Sequence, residues 1–203
     1  MTKIKICGVS RERDSEAVNA AMPEYVGFVF AESHRRVTPA QALALRKRLH
    51  PSIQAVGVFV NETIDTIRAI AESGIVDVIQ LHGGEDEETV ARVKEVTGKP
   101  VIKAVPVTAQ GDVQAWQNSC ADFLLLDGVR GGGGRAFDWT LIGEVSKPFF
   151  LAGGIHLGNV EAAITAVHPF AVDVSSGVET DKVKDPTKIT AFVSAVKGRH
   201  DQP

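Results

Sequence analysis

Two residues that can exchange protons, Cys7 and Asp127, each end an apolar run of this 203-residue chain. A carboxyl group at the edge of apolar surroundings has its charged form disfavoured, so Asp127 can hold a proton near neutral pH and act as an acid. A Cys7 thiolate favoured by Lys5, or by a helix amino terminus, can act as a base. Such a pair can move a proton on carbon without a cofactor, which indicates isomerisation. The alternatives are a small buried hydrophobe for Cys7 and a carboxylate accepting turn amides for Asp127.

Anion-binding groups follow other apolar runs. Gly153-Gly154 and Ser175-Ser176-Gly177 end two successive runs, and small residues there let backbone amides approach phosphate oxygens. Arg35 and Arg36 follow the second run, where a guanidinium can clamp a carboxylate through two parallel hydrogen bonds or lie solvated on the surface. His82 either lines the same site or is satisfied by the backbone. These residues predict a site for a small phosphorylated molecule.

The elements that must position these residues alternate between short β-branched runs and longer amphipathic ones. Strands are predicted at 3–7, 25–30, 54–59, 77–81, 100–105, 122–127, 148–152 and 170–174. Helices are predicted near 11–21, 39–49, 62–73, 86–97, 111–118, 138–145, 157–167 and 186–197. Eight units without a linker predict an α/β fold, a single (β/α)8 TIM barrel over residues 1–203, whose site lies at the carboxyl ends of the strands. An open doubly wound sheet is the alternative, but the first turn, Cys7-Gly8-Val9-Ser10, lacks the GxGxxG pattern.

Composition excludes several classes of partner. A formal net charge of −3 provides no broad basic field for nucleic acid, and no apolar run reaches the roughly 18 residues of a membrane span. The chain opens without a signal-peptide pattern and has two separate cysteines, so we expect a cytoplasmic protein. The histidines lack HxxxH, HxH or CxxC neighbours, so no metal is expected. The run Gly131 to Gly134 is either a mobile lid or a flexible loop.

Eight short motifs occur in an order that we know from one family. They are Lys5-Ile6-Cys7-Gly8, Gly27-Phe28-Val29-Phe30, Ser33-His34-Arg35-Arg36-Val37-Thr38-Pro39, Gly57-Val58-Phe59-Val60, Gln80-Leu81-His82-Gly83, Phe137-Asp138-Trp139, Ala152-Gly153-Gly154-Ile155 and Val172-Asp173-Val174-Ser175-Ser176-Gly177-Val178-Glu179. The chain resembles phosphoribosylanthranilate isomerase, a tryptophan-pathway family, over essentially its whole length. Each motif is weak alone, but eight in register are specific.

The resemblance implies a (β/α)8 barrel that needs neither cofactor nor metal. A monomer and a homodimer both remain open. Its reaction is the Amadori rearrangement of N-(5-phosphoribosyl)anthranilate to 1-(2-carboxyphenylamino)-1-deoxyribulose 5-phosphate. By resemblance, Asp127 is the general acid that opens the ribose ring and Cys7 is the general base that takes the C2 proton. Arg35, rather than the neighbouring Arg36, falls on the carboxylate-binding arginine of the family. The phosphate meets backbone amides around Gly153, Gly154, Ser175, Ser176 and Gly177, and His82 is a further candidate for substrate binding.

Two other classes of function remain open. Another phosphosugar barrel, such as a ribulose-phosphate epimerase or an indole-glycerol-phosphate synthase, would need metal-binding residues or a catalytic lysine. For the lysine only Lys5 and Lys103 are candidates. A non-catalytic barrel that binds a phosphorylated ligand needs neither Cys7 nor Asp127, so the presence of both favours an isomerase.

Overall fold

Eight parallel strands form a closed barrel in a computed structural model that describes residues 1–128 and 137–198. Each strand is hydrogen-bonded to the next, and β1 closes the ring by pairing with β8. The strands are β1 Lys3–Cys7, β2 Tyr25–Val29, β3 Gln54–Phe59, β4 Val78–Leu81, β5 Val101–Val107, β6 Phe123–Gly128, β7 Phe149–Leu151 and β8 Ala171–Val174. The predicted fold class is confirmed, and every predicted strand boundary lies within two residues of an observed one.

The connections contain six α-helices within the described residues. They are α1 Glu12–Ala21, α2 Pro39–Arg46, α3 Ile64–Glu72, α4 Glu87–Thr97, α5 Val160–Val167 and α6 Pro186–Gly198. The helices predicted at 111–118 and 138–145 are wrong, because only 3₁₀ turns form there, at Gln114–Trp116 and Trp139–Ile142. Glycines at positive φ lie beside both turns, Gly111 at 101° and Gly143 at 64°, and α-helix cannot continue through such a residue.

A short hairpin, β9 Glu179–Thr180 and β10 Val183–Lys184, lies between β8 and α6. This hairpin was not predicted from sequence. The hairpin places two charged side chains, Glu179 and Lys184, beside the carboxyl end of β8, where they bear on the site described below.

Two apolar layers hold the barrel together. One fills the space between the strands and the helices, and the other lies inside the barrel. The inner layer is identified by Tyr25 of β2 and Phe150 of β7, whose rings meet edge to face at 5.4 Å although their strands are not neighbours. Because side chains alternate along a strand, residues two positions apart from these also face inward. The inward face therefore includes the side chains at the strand ends.

Two further expectations concern the glycine run after β6 and the absence of a membrane span. The glycine run Gly131 to Gly134 lies outside the described residues, so its prediction as a lid or a loop stays untested. Within residues 1–128 and 137–198, none of the helices has the length and apolar character needed to cross a bilayer.

Candidate active site

Cys7 lies at the inner rim of the barrel, above a buried ion pair. Its register partner on β2 is Gly27, and a Cβ built on Gly27 would lie 2.7 Å from Cys7 Sγ, so glycine is needed to leave room for the thiol. Two residues earlier on the same face, Lys5 is fully buried and its Nζ lies 2.9 Å from Asp173 Oδ2 on β8. Lys5 and Cys7, two positions apart on β1, therefore share the inward face of the barrel.

The electrostatics of Cys7 combine opposing effects. Burial raises the pKa of the Cys7 thiol, the Lys5 ammonium acts to lower it, and the Asp173 carboxylate raises it further. Burial by itself would lower the pKa of Lys5, but Asp173 and Cys7 outweigh it and raise that pKa above its usual value. The raised pKa of Lys5 keeps it charged at neutral pH beside the thiol, where Lys5 and Lys184 both favour the thiolate.

Asp127 lies across the barrel mouth on β6, next to a histidine. His82 Nε2 lies 3.3 Å from Asp127 Oδ2, and both side chains are about one-third exposed or less, 33% for His82 and 27% for Asp127. His82 in turn meets Gln80 of β4, with His82 Nδ1 and Gln80 Nε2 2.7 Å apart. The backbone does not satisfy the His82 ring, since both of its nitrogens face side chains.

The two turns predicted to bind phosphate touch each other and the acid. Gly153 has φ of 78°, and a Cβ built on it would lie 2.7 Å from Asp127 Oδ1 and 2.5 Å from Gly128 N. A Cβ on Gly177 would collide with the carbonyl oxygen of Ile155, which follows Gly154 in the first turn. Glycine at both positions therefore allows the turns after β7 and β8 to pack against each other beside Asp127.

The second turn is also tied to the base. Ser175 Oγ donates a hydrogen bond of 3.0 Å to the carbonyl oxygen of Cys7. Ser176 and Gly177 form the 3₁₀ turn Ser176–Val178 directly after it. Lys184 Nζ donates to the Ser175 carbonyl at 3.0 Å, so a cation lies behind this turn.

Arg35 reaches the site, whereas Arg36 points to solvent. The Arg35 side chain packs over Gly8, next to Cys7. Its Nε and Nη2 donate to Glu179 at 2.7 and 2.8 Å, which leaves the Nη1 side of the guanidinium for another anion. Arg36 is exposed and pairs through its backbone with Val29, and no described residue forms an ion pair with its side chain.

The sequence of this chain is similar to that of one family along nearly its full length. A family model described as N-(5'phosphoribosyl)anthranilate (PRA) isomerase matches residues 4–195. The chain belongs to this family. An N-(5'-phosphoribosyl)anthranilate isomerase of Clostridium acetobutylicum is 47% identical over 205 residues, covering 97% of this chain and 98% of that protein.

Solved phosphoribosylanthranilate isomerase structures share the fold of this chain. The enzyme from Thermotoga maritima superposes with a TM-score of 0.89 at 37% identity, covering 98% of this chain and all of that one. A second structure, solved in complex with reduced 1-(o-carboxyphenylamino)-1-deoxyribulose 5-phosphate, has a TM-score of 0.86 at 36% identity, again over 98% of this chain and all of the other. This chain is accordingly an isomerase with a TIM-barrel fold.

Three charged residues of this family member were not assigned a role from sequence. Asp173 and Glu179 lie in the last of the eight motifs, but their partners are distant in the chain, and Lys184 belongs to the unpredicted hairpin. Only Asp173 gave a signal, as a charged residue within a fully buried strand. Burial raises the pKa of Glu179, but hydrogen bonds from Arg35 and Lys184 outweigh it and lower the value to about 2.

The lysine that a synthase would need has no free candidate in the part of the chain that the structure describes. Lys5 is paired with Asp173, and Lys103 is buried with its Nζ 2.9 Å from Glu85 Oε2. Lys103 alternates with the inward-facing Ile102 and Ala104, so it points to the helical layer instead of the barrel mouth. The described histidines, cysteines and carboxylates also form no group of three or more that could hold a metal ion.

Proposed function

We propose that this protein catalyses the Amadori rearrangement of N-(5-phosphoribosyl)anthranilate to 1-(2-carboxyphenylamino)-1-deoxyribulose 5-phosphate, with Asp127 as general acid and Cys7 as general base. The observation that carries the proposal is the placement of a thiol and a carboxyl group on opposite sides of one barrel mouth, on β1 and β6, beside two contacting glycine turns. Membership of the isomerase family supports the choice of substrate.

The first step uses Asp127. Its carboxyl group gives a proton to the ribose ring oxygen, the bond from that oxygen to C1 breaks, and the anthranilate nitrogen and C1 form a protonated Schiff base. The resulting carboxylate is stabilised by His82, 3.3 Å away. A positioned acid of this kind contributes about 10²- to 10⁴-fold to a rate.

The second step uses Cys7. Its thiolate removes the proton from C2, and the electron pair of that C–H bond moves toward the cationic nitrogen to give an enolamine, which tautomerises to the ketone. The raised pKa of the thiol makes its conjugate base strong but scarce at neutral pH. Lys5 limits the rise in this pKa, because the ion pair with Asp173 holds its positive charge next to the sulfur.

Binding is divided between two anion sites. Arg35 presents the Nη1 side of its guanidinium, which suits the anthranilate carboxylate. Backbone amides of the Gly153-Gly154 and Ser175–Gly177 turns suit the phosphate, and Lys184 adds positive charge behind the second turn. A phosphorylated small molecule is thus held at both ends, with its sugar between the acid and the base.

The test follows the loss of anthranilate fluorescence with freshly prepared substrate. Wild-type protein should consume it, Cys7→Ser should abolish turnover, and Asp127→Asn should lower kcat by at least about 100-fold. Both variants should still bind the product analogue, reduced 1-(o-carboxyphenylamino)-1-deoxyribulose 5-phosphate. Binding by the wild type without turnover would instead identify a phosphate-binding barrel. An unchanged rate in Cys7→Ser would refute the assigned base.

A further inference from the structure

Three side chains form a line from the barrel interior to the proposed acid. Gln80 of β4 is 1% exposed and faces inward below the mouth. Its Nε2 lies 2.7 Å from His82 Nδ1, and His82 Nε2 lies 3.3 Å from Asp127 Oδ2. Gln80 is too deeply buried to reach a substrate at the mouth, so any effect it has on the reaction passes through His82.

The orientation of the Gln80 amide, with Nε2 toward His82 and Oε1 buried without a hydrogen-bond partner, sets the direction of these bonds. The amide nitrogen of Gln80 carries hydrogens and has no accepting lone pair, so His82 Nδ1 must accept the bond. A neutral imidazole then carries its single N–H hydrogen on Nε2, which is the nitrogen that faces Asp127.

We propose that Gln80 is a positioning residue for the general acid: it holds His82 in the Nε2–H tautomer, and His82 donates that hydrogen to Asp127 Oδ2. This inference rests on the proposed function, since it assumes that Asp127 transfers the proton. His82 is then a support of the acid, which differs from its expected role as a substrate-binding residue.

The backbone next to His82 is held firmly enough for such a role. His82 N donates to the Phe59 carbonyl at 2.8 Å, and Gly83 N donates to Glu85 Oε2 at 2.8 Å. The buried Lys103 ammonium closes the turn by donating to both the Gly83 carbonyl at 2.7 Å and Glu85 Oε2 at 2.9 Å. The ring is therefore fixed by Gln80 at Nδ1 and by this network at its backbone.

The tautomer matters because Asp127 becomes an anion once it has given up its proton. An Nε2–H donor stabilises that anion, whereas the opposite tautomer would turn a nitrogen lone pair toward it. Loss of the Gln80 amide therefore weakens the ring-opening step while leaving the Arg35 and phosphate sites intact. The effect should appear in kcat and not in KM.

Kinetics of Gln80→Leu test this inference, with Gln54→Leu as the matched control. Gln54 is the exposed first residue of β3, at the other end of the barrel. We expect Gln80→Leu to lower kcat by about 10- to 100-fold, the range seen when the outer hydrogen-bond partner of a metal-binding histidine is lost, with KM within about twofold of wild type. An unchanged kcat in folded Gln80→Leu would overturn the inference.

Two variants of His82 separate positioning from substrate contact. His82→Gln can place an amide hydrogen near the position of Nε2, whereas His82→Asn can reach only the position of Nδ1. We expect His82→Gln to keep clearly more of the wild-type kcat than His82→Asn. A rise in KM in both variants, with kcat unchanged, would show that His82 contacts the substrate and would refute the positioning role.

Nitrogen NMR of ¹⁵N-histidine-labelled protein tests the tautomer without any turnover. We expect the wild-type His82 signals to show hydrogen on Nε2, and Gln80→Leu to show a mixture of both tautomers. Hydrogen on Nδ1 in the wild type would overturn the inference even if Gln80→Leu does not fold. A wild-type protein with the expected tautomer but no turnover would instead refute the proposed function.

Discussion

Gly153→Ala should disable the proposed acid through a single methyl group. Gly153 has φ of 78°, and its added Cβ would lie 2.7 Å from Asp127 Oδ1 and 2.5 Å from Gly128 N. The neighbouring atoms are a backbone nitrogen and the carboxylate of a residue fixed by His82, so the contact cannot be relieved by a flexible side chain. Asp127 or the whole turn has to move.

The size of the movement follows from the distances. An ordinary contact begins near 3.4 Å, so Asp127 Oδ1 must shift by about 0.7 Å. Misplacement of a reacting group by about 1 Å can lower a rate by about 100-fold, so we expect kcat to fall by about 30- to 100-fold. The free energy of unfolding should fall by about 1–2 kcal/mol for the positive φ and by a further 1–3 kcal/mol or so for the overlap.

Gly74→Ala is the matched control, because Gly74 has nearly the same φ, 74°, and nothing lies within 4 Å of its added Cβ. It should show the backbone cost of about 1–2 kcal/mol with kcat unchanged. The fluorescence assay gives kcat, and urea unfolding gives the stability of both variants. Equal kcat values for Gly153→Ala and Gly74→Ala would refute the reasoning, since the clash would then not reach the acid.

Three further perturbations test the charged groups. Arg35→Ala should raise KM by about tenfold or more in steady-state kinetics, because it removes a charge-assisted partner of the substrate carboxylate. If Arg36→Ala raises KM and Arg35→Ala does not, the carboxylate is bound by Arg36. Glu179, whose pKa falls from 4.5 to about 2 on folding, contributes stability that is present above pH 4.5 and lost as pH falls toward 2. Wild type should therefore lose up to about 2 kcal/mol more than Glu179→Gln between pH 6 and pH 3 in urea unfolding, and parallel losses would contradict the ion-pair assignment. Lys103→Met should lower the free energy of unfolding by about 3–5 kcal/mol, because it leaves the buried Glu85 carboxylate without its counter-ion. Adding Glu85→Gln should recover part of this loss in the same measurement.

The barrel could be predicted because each of its strands is a continuous apolar run in the sequence. Strands covered on both faces need apolar residues at nearly every position, and eight such runs alternating with amphipathic segments leave few other folds. The helix predictions at 111–118 and 138–145 were wrong because they relied on the apolar spacing and disregarded the glycines in these segments. Gly111 and Gly143 adopt positive φ, and this conformation is decided by the path of the chain, which sequence spacing does not reveal.

Sequence could predict which residues lie at the site, but not which of them contact each other. Cys7 and Asp127 could be predicted because they end their strands. Side chains alternate between the two faces of a strand, which limits the positions that can face inward. The partner of Arg35 could not be predicted, because Glu179 lies 144 positions away and meets it only after β1 and β8 close the ring. Likewise, no local pattern indicates that His82 binds Asp127, because the contact joins β4 to β6 across an intervening strand.

Closure of the ring by the first and last strands also has a consequence for the timing of synthesis. Lys5 and Asp173 are 168 positions apart, as are Cys7 and Ser175, and both contacts cross the β1–β8 seam. At about 5–20 residues per second, β1 leaves the ribosome roughly 10–30 s before its partner exists. During that interval one edge of β1 has no neighbouring strand, Lys5 lacks its partner Asp173, and the Cys7 carbonyl lacks the hydrogen bond from Ser175. The base is therefore the first part of the site to be synthesised, yet its surroundings are complete only after the last strand has been added.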